Sequence, residues 1–388
     1  MNKALFTIAT VAVTMLMGSC HGNADSNANV NANANVENNF KIQRGTNISH
    51  WLSQSEERGE ARRQHIQEDD FARLDSLGFD FVRLPIDEVQ MWDEQGNKID
   101  EAWGLMRNAI DWSVKHHLRV IVDLHIIRSH NFNAVNEGED TNTLFTDDAA
   151  QQQLIGMWKQ LSDSLKAYST DSVAYEFMNE PVAREHEQWN QLIAKVHKAL
   201  RELEPQRTLV VGSNLWQGTD TFKFLKVPEC DKNIILSFHF YEPMVLTHNG
   251  APWTPTGKYT GKVNYPGVII SKEDFDKQPE EIKEHIQKYT KEWNRDTLRA
   301  LMDDAINVAK KYDLQLFCGE WGVYEPVDRE LAYTWTRDMI SVFNENHVAW
   351  CTWCYDADFG FWDQKKHAFK DAQLVDILLG KAQPGKQQ

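Results

Sequence analysis

Two glutamates each follow a short apolar run, and their spacing suggests paired acid and nucleophile chemistry. Glu180 follows the apolar run 173–178 after one intervening residue, and Glu320 follows the run 314–317. The two positions are far apart in sequence, so only a fold that gathers strand ends at one mouth would bring them together. Two carboxyl groups that meet in this way are the groups that cleave glycosidic bonds.

Six further residues at predicted strand ends have chemistry suited to binding a sugar or orienting a carboxylate. They are Arg83, His125, Asn179, His239, Tyr241 and Trp353. Taken singly, each has a structural explanation, such as an arginine paired with a core acid or a histidine satisfied in the core. Their shared position at one end of several strands indicates a site instead, because barrel enzymes place their chemistry there.

The elements that must position these residues alternate regularly along the chain. Apolar runs predict strands at 42–48, 79–84, 118–124, 173–178, 208–212, 234–240, 315–319 and 348–355. Helical periodicity lies between them, for example at 69–77, 102–116, 149–168, 186–203, 297–312 and 329–344. Eight such repeats predict an α/β fold, a single (β/α)8 TIM barrel. A long insertion after strand six, at 242–278, is interpreted as a wall or lid over the cleft.

Composition narrows the class of ligand. Asp and Glu outnumber Lys and Arg by 57 to 41 in the 388 residues, for a formal charge of −16. Such a surface disfavours nucleic acid and anionic membranes, and a neutral ligand fits best. The chain also has 14 tryptophans, whose flat faces can stack on sugar rings. Trp51, Trp216 and Trp253 are candidates for flanking subsites, although loop tryptophans also anchor loops.

The N-terminus has the pattern of an export signal. Residues 1–19 contain Lys3, an apolar stretch and small residues directly before Cys20, which resembles a bacterial lipoprotein signal with Cys20 as the lipidated residue. Residues 20–39 are rich in Asn and Ala and predict a flexible tether. These segments predict a lipoprotein of the cell envelope, at the outer membrane or cell surface, and the alternative is a secreted protein.

The remaining boundaries and cysteines complete the domain organisation. We expect one catalytic domain over 40–380, a short tail at 381–388, and a monomer that meets the membrane only through its lipid anchor. Cys351 and Cys354 are three residues apart on a predicted strand, which would point their side chains to opposite faces. They are therefore interpreted as buried thiols rather than as a metal or redox pair.

From about residue 40 to residue 379, the chain resembles glycoside hydrolase family 5. The eight hallmark residues of that family match Arg83, His125, Asn179, Glu180, His239, Tyr241, Glu320 and Trp353. Segments 44–54 and 238–267 are further similar to the compact bacterial endo-β-1,4-glucanases of the family. One departure is Ile126, where many members carry His or Asn.

The resemblance implies a retaining endo-β-1,4-glucanase acting on soluble β-glucans. Glu180 would be the acid and base, Glu320 the nucleophile, and Asn179 a partner of the sugar 2-hydroxyl. Neither a metal nor a cofactor is required by this chemistry. A β-mannanase or another β-glycanase of the same family is the alternative enzyme. A surface lipoprotein that binds glycan without cutting it is the alternative from another class.

Overall fold

The structure, a computed structural model, describes residues 38–133 and 142–381. The predicted signal segment, Cys20 and nearly all of the predicted tether lie outside these residues, as does most of the tail. In the described part of the chain, no helix combines the length and apolarity needed to cross a membrane.

Eight parallel strands form the closed barrel that the sequence predicts. They are β1 (Arg44–Asn47), β2 (Phe81–Asp87), β3 (Arg119–Ile126), β4 (Val173–Glu176), β5 (Leu209–Gly212), β6 (Ile234–His239), β7 (Gln315–Trp321) and β8 (Ala349–Thr352). Each strand pairs with its neighbours in sequence, and β8 pairs with β1 to close the barrel. Every predicted strand is present, with ends that differ by a few residues.

Helices surround the barrel between the strands. The longer helices are Glu68–Leu77, Asp100–Lys115, Asp148–Leu165, His186–Leu203, Asp303–Tyr312 and Arg329–Asn346. Shorter ones are Gly59–His65, Glu88–Met91, Met244–Thr247, Lys272–Asp276, Glu280–Ile286, Arg295–Leu301 and Ala372–Leu378, with 3-10 helices at Thr219–Phe224, Thr256–Lys258 and Gln287–Thr290. The helix predicted at 297–312 is in fact two helices, which meet at Met302 (φ −95°, ψ 0°), the C-cap of the first and the N-cap of the second.

The insertion after β6 is longer than the sequence indicates and has its own structure. It extends from the end of β6 to Arg295 and includes a two-stranded antiparallel sheet of Gly267–Val268 and Glu292–Trp293. The Tyr265 hydroxyl donates to Asp338 at 2.7 Å, which ties the insertion to the outer helix Arg329–Asn346. The segment is thus anchored against the barrel wall.

Inside the barrel, an apolar layer lies below a polar one. The apolar layer consists of Phe40, Ile42, Phe81, Ile121, Ala174, Val210, Ile235, Phe317, Ala349 and Cys351. Side chains two residues apart point to the same face of a strand. The next inward positions therefore hold Arg83 above Phe81 and Glu176 above Ala174, nearer the carboxyl ends of the strands.

The chain enters at the opposite end of the barrel. Phe40 and Ile42 are buried in the apolar layer, and the Thr208 hydroxyl donates to Asn38 at 2.9 Å just before β5. The N-terminal segment therefore closes the floor of the barrel. Cys351 and Cys354 are buried thiols, as predicted.

Candidate active site

The two glutamates meet at the mouth formed by the carboxyl ends of the strands. Glu180 lies in the loop after β4, and Glu320 lies in β7 beside His239 of β6. An oxygen of Glu180 and an oxygen of Glu320 are within 4.8 Å of each other. Retaining glycosidases hold their carboxyl groups about 5–5.5 Å apart, whereas inverting ones need roughly 6.5–9.5 Å to admit a water. The spacing here fits direct attack by one carboxylate.

Arg83 organises the polar layer below the glutamates. Its guanidinium donates to Glu320 Oε1 at 2.8 Å, to Glu176 Oε2 at 2.6 Å and to Asn179 Oδ1 at 2.8 Å. Asp123 Oδ2 lies 3.0 Å from the same guanidinium. Burial lowers the pKa of Arg83, but Asp123, Glu176 and Glu320 raise it well above its usual value. Asp123 and Glu176 are therefore counter-ions of a fully buried charge.

The environments of Glu180 and Glu320 differ, and the difference determines which of the two is protonated. Burial raises the pKa of Glu180 well above its usual value, and the charge of Glu320 raises it further. Burial also raises the pKa of Glu320, but the adjacent Arg83 guanidinium opposes that shift. Glu180 consequently holds its proton more firmly, while Glu320 is the carboxylate stabilised as an anion.

Tyr241 and His239 each contact one of the two glutamates. The Tyr241 hydroxyl donates to Glu320 Oε2 at 3.1 Å, and burial together with Glu320 keeps its pKa well above the usual value. His239 Nδ1 lies 2.7 Å from Glu180 Oε1, and burial holds the pKa of His239 well below its usual value. The ring is therefore neutral. His239 and the two glutamates place ligand atoms close enough together to hold a cation, although two-carboxylate hydrolysis needs none.

His125 and Trp353 form one wall of the site. Their rings stack with centroids 5.5 Å apart and an interplanar angle of 8°. His125 Nδ1 bonds Asp123 at 2.7 Å, and its Nε2 lies 2.8 Å from the amide of Gln54. Burial lowers the pKa of His125 to about 4, so this ring is neutral as well. Both ring nitrogens are engaged, which fixes the orientation of the ring.

Buried polar atoms in this cluster, among them Nδ2 of Asn179 and Nε2 of His239, lack a protein partner in the described part of the chain. Within residues 38–133 and 142–381, the Nδ2 of Asn179 makes no hydrogen bond, although its Oδ1 accepts from Arg83. A buried amide left in this state is costly unless a ligand or water completes it. Its position beside the two glutamates makes a substrate hydroxyl a suitable partner.

The three candidate platforms have different surroundings. Trp253 is 52% exposed, and its ring meets Tyr324 edge to face at 5.0 Å. Trp216 is half-buried, and its indole N–H donates to the Phe132 carbonyl at 3.3 Å. Both have surface that a sugar could meet.

The structure contradicts the prediction that Trp51 supports a flanking subsite. Its side chain is 0% exposed, lies in the main hydrophobic core, and donates its indole N–H to the Arg62 carbonyl at 2.7 Å. It therefore has no accessible face for a sugar ring. Its position just after β1 suggested the mouth, but the chain turns it inward.

Sequence reasoning missed two glutamines that contact the site. Gln54 meets His125, as described above, and Gln217 accepts a hydrogen bond from the Glu180 backbone N–H at 3.1 Å. Gln217 also donates to Glu176 Oε1 at 3.1 Å. Neither glutamine lies at a strand end, so the pattern that revealed the other residues could not reveal these two.

Comparisons with known proteins agree with this geometry. Residues 33–359 match the model of the family described as cellulase (glycosyl hydrolase family 5). Endoglucanase C of Acetivibrio thermocellus is 29% identical over 344 residues, covering 86% of this chain and 97% of the relative. Cellodextrinase A of Ruminococcus flavefaciens is 27% identical, covering 79% of this chain and 84% of the relative.

Solved structures show the same fold. The endoglucanase Cel5A from Thermotoga maritima superimposes with a TM-score of 0.70 at 23% identity, covering 88% of this chain and 98% of that one. A hyperthermophilic endo-β-1,4-glucanase solved with substrate gives a TM-score of 0.69 at 25% identity, covering 89% and 98% respectively.

Proposed function

The chain belongs to glycoside hydrolase family 5, the cellulase family, and from that premise we propose that it is a retaining endo-β-1,4-glucanase with Glu180 as acid and base and Glu320 as nucleophile. The observation that carries the proposal is the close carboxylate pair, in which Arg83 contacts only one member at 2.8 Å. Two identical side chains thus have different proton affinities, as an acid and a nucleophile require.

In the first step, Glu320 attacks the anomeric carbon of the bound sugar. The bond from that carbon to the glycosidic oxygen breaks, and Glu180 gives its proton to the departing oxygen. A covalent glycosyl-enzyme on Glu320 results. The neutral His239 beside Glu180 and the Tyr241 hydroxyl on Glu320 hold the two carboxyl groups in place.

In the second step, a water molecule hydrolyses the glycosyl-enzyme. Once Glu320 is esterified, its negative charge no longer raises the pKa of Glu180. Glu180 is then a base that accepts a proton from the attacking water, while Glu320 is released as a carboxylate. The sugar product retains its anomeric configuration because inversion occurs twice.

The remaining site residues would position the sugar. The free amide N–H of Asn179 is suited to the 2-hydroxyl, a contact that strengthens in the transition state. Trp353, held by its stack on His125, would contact the ring at the reacting subsite. Trp216 and Trp253 would support flanking subsites. Binding of glycan without cleavage would not need the acid pair and its arginine, so the alternative of a non-catalytic protein is disfavoured.

The proposed substrate is soluble β-1,4-linked glucan, including mixed-linkage glucan. The net negative charge disfavours polyuronides, and the relatives named above are an endoglucanase and a cellodextrinase. β-Mannan is the alternative backbone. Release of reducing ends from carboxymethyl cellulose, barley-type glucan, xyloglucan, glucomannan and galactomannan tests the choice. A higher kcat/KM on galactomannan than on barley-type glucan would make the protein a mannanase.

We also propose that the chain is a lipoprotein anchored through Cys20. The support is the signal pattern at 1–19 and the entry of the chain at the barrel floor, since Asn38 and Phe40 lie at the end opposite the two glutamates. An anchor upstream of residue 38 would be attached at the floor of the barrel and would not obstruct the mouth. A polymeric substrate could then reach the cleft.

A further inference from the structure

A short turn after β5 has an unusual backbone next to the acid and base. Leu215, Trp216 and Gln217 have φ values of 54°, 59° and 53°, and Glu180 itself has a φ of 44°. Non-glycine residues rarely adopt this left-handed conformation, and it persists only where the surrounding structure enforces it. We name Asn214–Gln217 the β5 turn.

The β5 turn is hydrogen bonded to the loop that begins at Glu180. Asn214 accepts from the backbone N–H of Ala183 at 2.8 Å and donates to its carbonyl at 2.9 Å. The backbone N–H of Trp216 donates to the Pro181 carbonyl at 3.3 Å. With the hydrogen bond that the Glu180 backbone N–H donates to Gln217, the turn fixes the loop at three of its residues.

The Gln217 side chain reaches back into the barrel. It is 0% exposed and fills the inward position that β5 leaves empty at Gly212, where an added Cβ would overlap the Gln217 side chain. Its Nε2 donates to Glu176, whose other oxygen accepts from Arg83, which in turn contacts Glu320. The Gln217 amide thus links the Glu180 backbone to Glu176. Glu176 in turn pairs with Arg83, the counter-ion of Glu320.

We propose that Gln217 is a positioning residue for proton transfer, which holds the Glu180 carboxyl group in line with the leaving oxygen while anchoring itself on Glu176. It acts through Glu180 and does not touch the sugar. The inference rests on the proposed function, because it assumes that Glu180 is the acid. The amide makes both bonds, and a side chain of the same size without polar atoms makes neither.

The test separates positioning from general stability by varying the leaving group. Gln217→Met keeps the volume and removes both hydrogen bonds. Cleavage of phenyl β-cellobioside needs the acid, whereas 2,4-dinitrophenyl β-cellobioside has a leaving group that departs without protonation. We expect kcat/KM to fall about 10- to 100-fold on the first substrate, part of the roughly 100- to 10,000-fold that general acid catalysis supplies. On the second substrate it should fall less than about threefold.

Two further variants keep the proposal falsifiable if Gln217→Met folds poorly. Gly212→Ala displaces the Gln217 side chain without changing it, and it should reproduce the selective loss on phenyl β-cellobioside. Gln151→Met is the matched control, because this buried glutamine also holds a loop, donating to the Leu144 carbonyl at 3.1 Å, but lies on the outer helix Asp148–Leu165. This variant should lower kcat/KM equally on both substrates or leave it unchanged on both.

The outcomes distinguish this role from the function on which it rests. A selective loss in the Gln217 and Gly212 variants, with none in Gln151→Met, supports the role. Equal losses on both substrates, or no loss, with an active wild-type enzyme would overturn it and leave the proposed function intact. A wild-type protein that cleaves neither glycoside would overturn the proposed function and the role together.

Discussion

At the scale of single residues, the site depends on a difference in proton affinity between two glutamates, Glu180 and Glu320. Both are buried, and burial raises both pKa values. The difference comes from Arg83, whose guanidinium lies 2.8 Å from Glu320, and from the negative charge that Glu320 then presents to Glu180. Activity should therefore be lost as pH rises through the pKa of Glu180, and lost again as pH falls through that of Glu320.

Replacing the nucleophile should lower the pKa of the acid. In Glu320→Gln the negative charge beside Glu180 is absent, so protonation of Glu180 is less favourable and its pKa should fall relative to wild type. Titration of 13C-labelled glutamate carboxyls by NMR measures the shift. Glu242→Gln is the control, since that carboxylate is bonded to Tyr289 in the insertion and should leave the Glu180 titration unchanged. An unchanged or higher pKa in Glu320→Gln would contradict the electrostatic assignment.

Sequence patterns predicted the polar residues at strand ends because those residues have fixed places in the repeat. Glu180, Glu320, Arg83 and His239 all follow apolar runs, and all are brought together at the mouth. Gln217 was not predictable in this way, since its approach depends on three left-handed residues and on the space left by Gly212. A periodic pattern does not specify such a turn.

At the scale of elements, the insertion after β6 contributes the most exposed candidate for a flanking subsite. Its start is fixed by Glu242, which accepts from the Tyr289 hydroxyl at 2.8 Å, and its tryptophan Trp253 packs against Tyr324 of the loop after β7. The extent of the insertion could not be predicted from 242–278 alone, because its two-stranded sheet pairs Gly267–Val268 with Glu292–Trp293 farther along the chain.

Removing the exposed ring should affect binding of long chains more than chemistry. For Trp253→Ala we expect KM for cello-oligosaccharides to rise about tenfold, equivalent to ~1.4 kcal/mol of lost stacking, and product lengths to change. The kcat/KM for 2,4-dinitrophenyl β-cellobioside should be nearly unchanged. Steady-state kinetics and product chromatography measure both. Equal losses on the oligosaccharide and the activated glycoside would contradict a subsite role.

Trp51, in contrast to Trp253, is a buried tryptophan that stabilises the fold. Because its ring is fully buried and its indole N–H is bonded to Arg62, Trp51→Ala should destabilise the fold by about 3–5 kcal/mol. Denaturant unfolding measures this loss, and Trp253→Ala should show little of it. The sequence could not separate the two tryptophans, since both follow strands, and only the packing distinguishes core from cleft.

At the scale of the whole molecule, the barrel places the entry of the chain and the glutamate pair at opposite ends. The described chain begins at the floor, where Phe40 is buried below the polar layer, and the glutamate pair opens at the opposite end. This polarity follows from the parallel arrangement of the strands, so it was predictable once eight strands were recognised. The lipid anchor itself stays a prediction from the signal pattern.

Removing the predicted lipid attachment should change location and leave catalysis intact. In Cys20→Ala the protein should move from the membrane fraction to the soluble fraction with unchanged kcat, because the anchor precedes the barrel floor and contributes nothing to the mouth. Fractionation followed by assay on barley-type glucan measures both quantities. Equal membrane retention of the variant would contradict anchoring through Cys20.

The central claim is that Glu320 forms a covalent glycosyl-enzyme, and trapping that species tests it most directly. With a 2-deoxy-2-fluoro-β-cellobioside that carries a dinitrophenyl leaving group, the enzyme should form the intermediate quickly and hydrolyse it slowly. Mass spectrometry of the digested protein should then locate one fluorocellobiosyl group on the Glu320 side chain. A label on Glu180 or another residue, or no label together with α-configured first products, would contradict the mechanism.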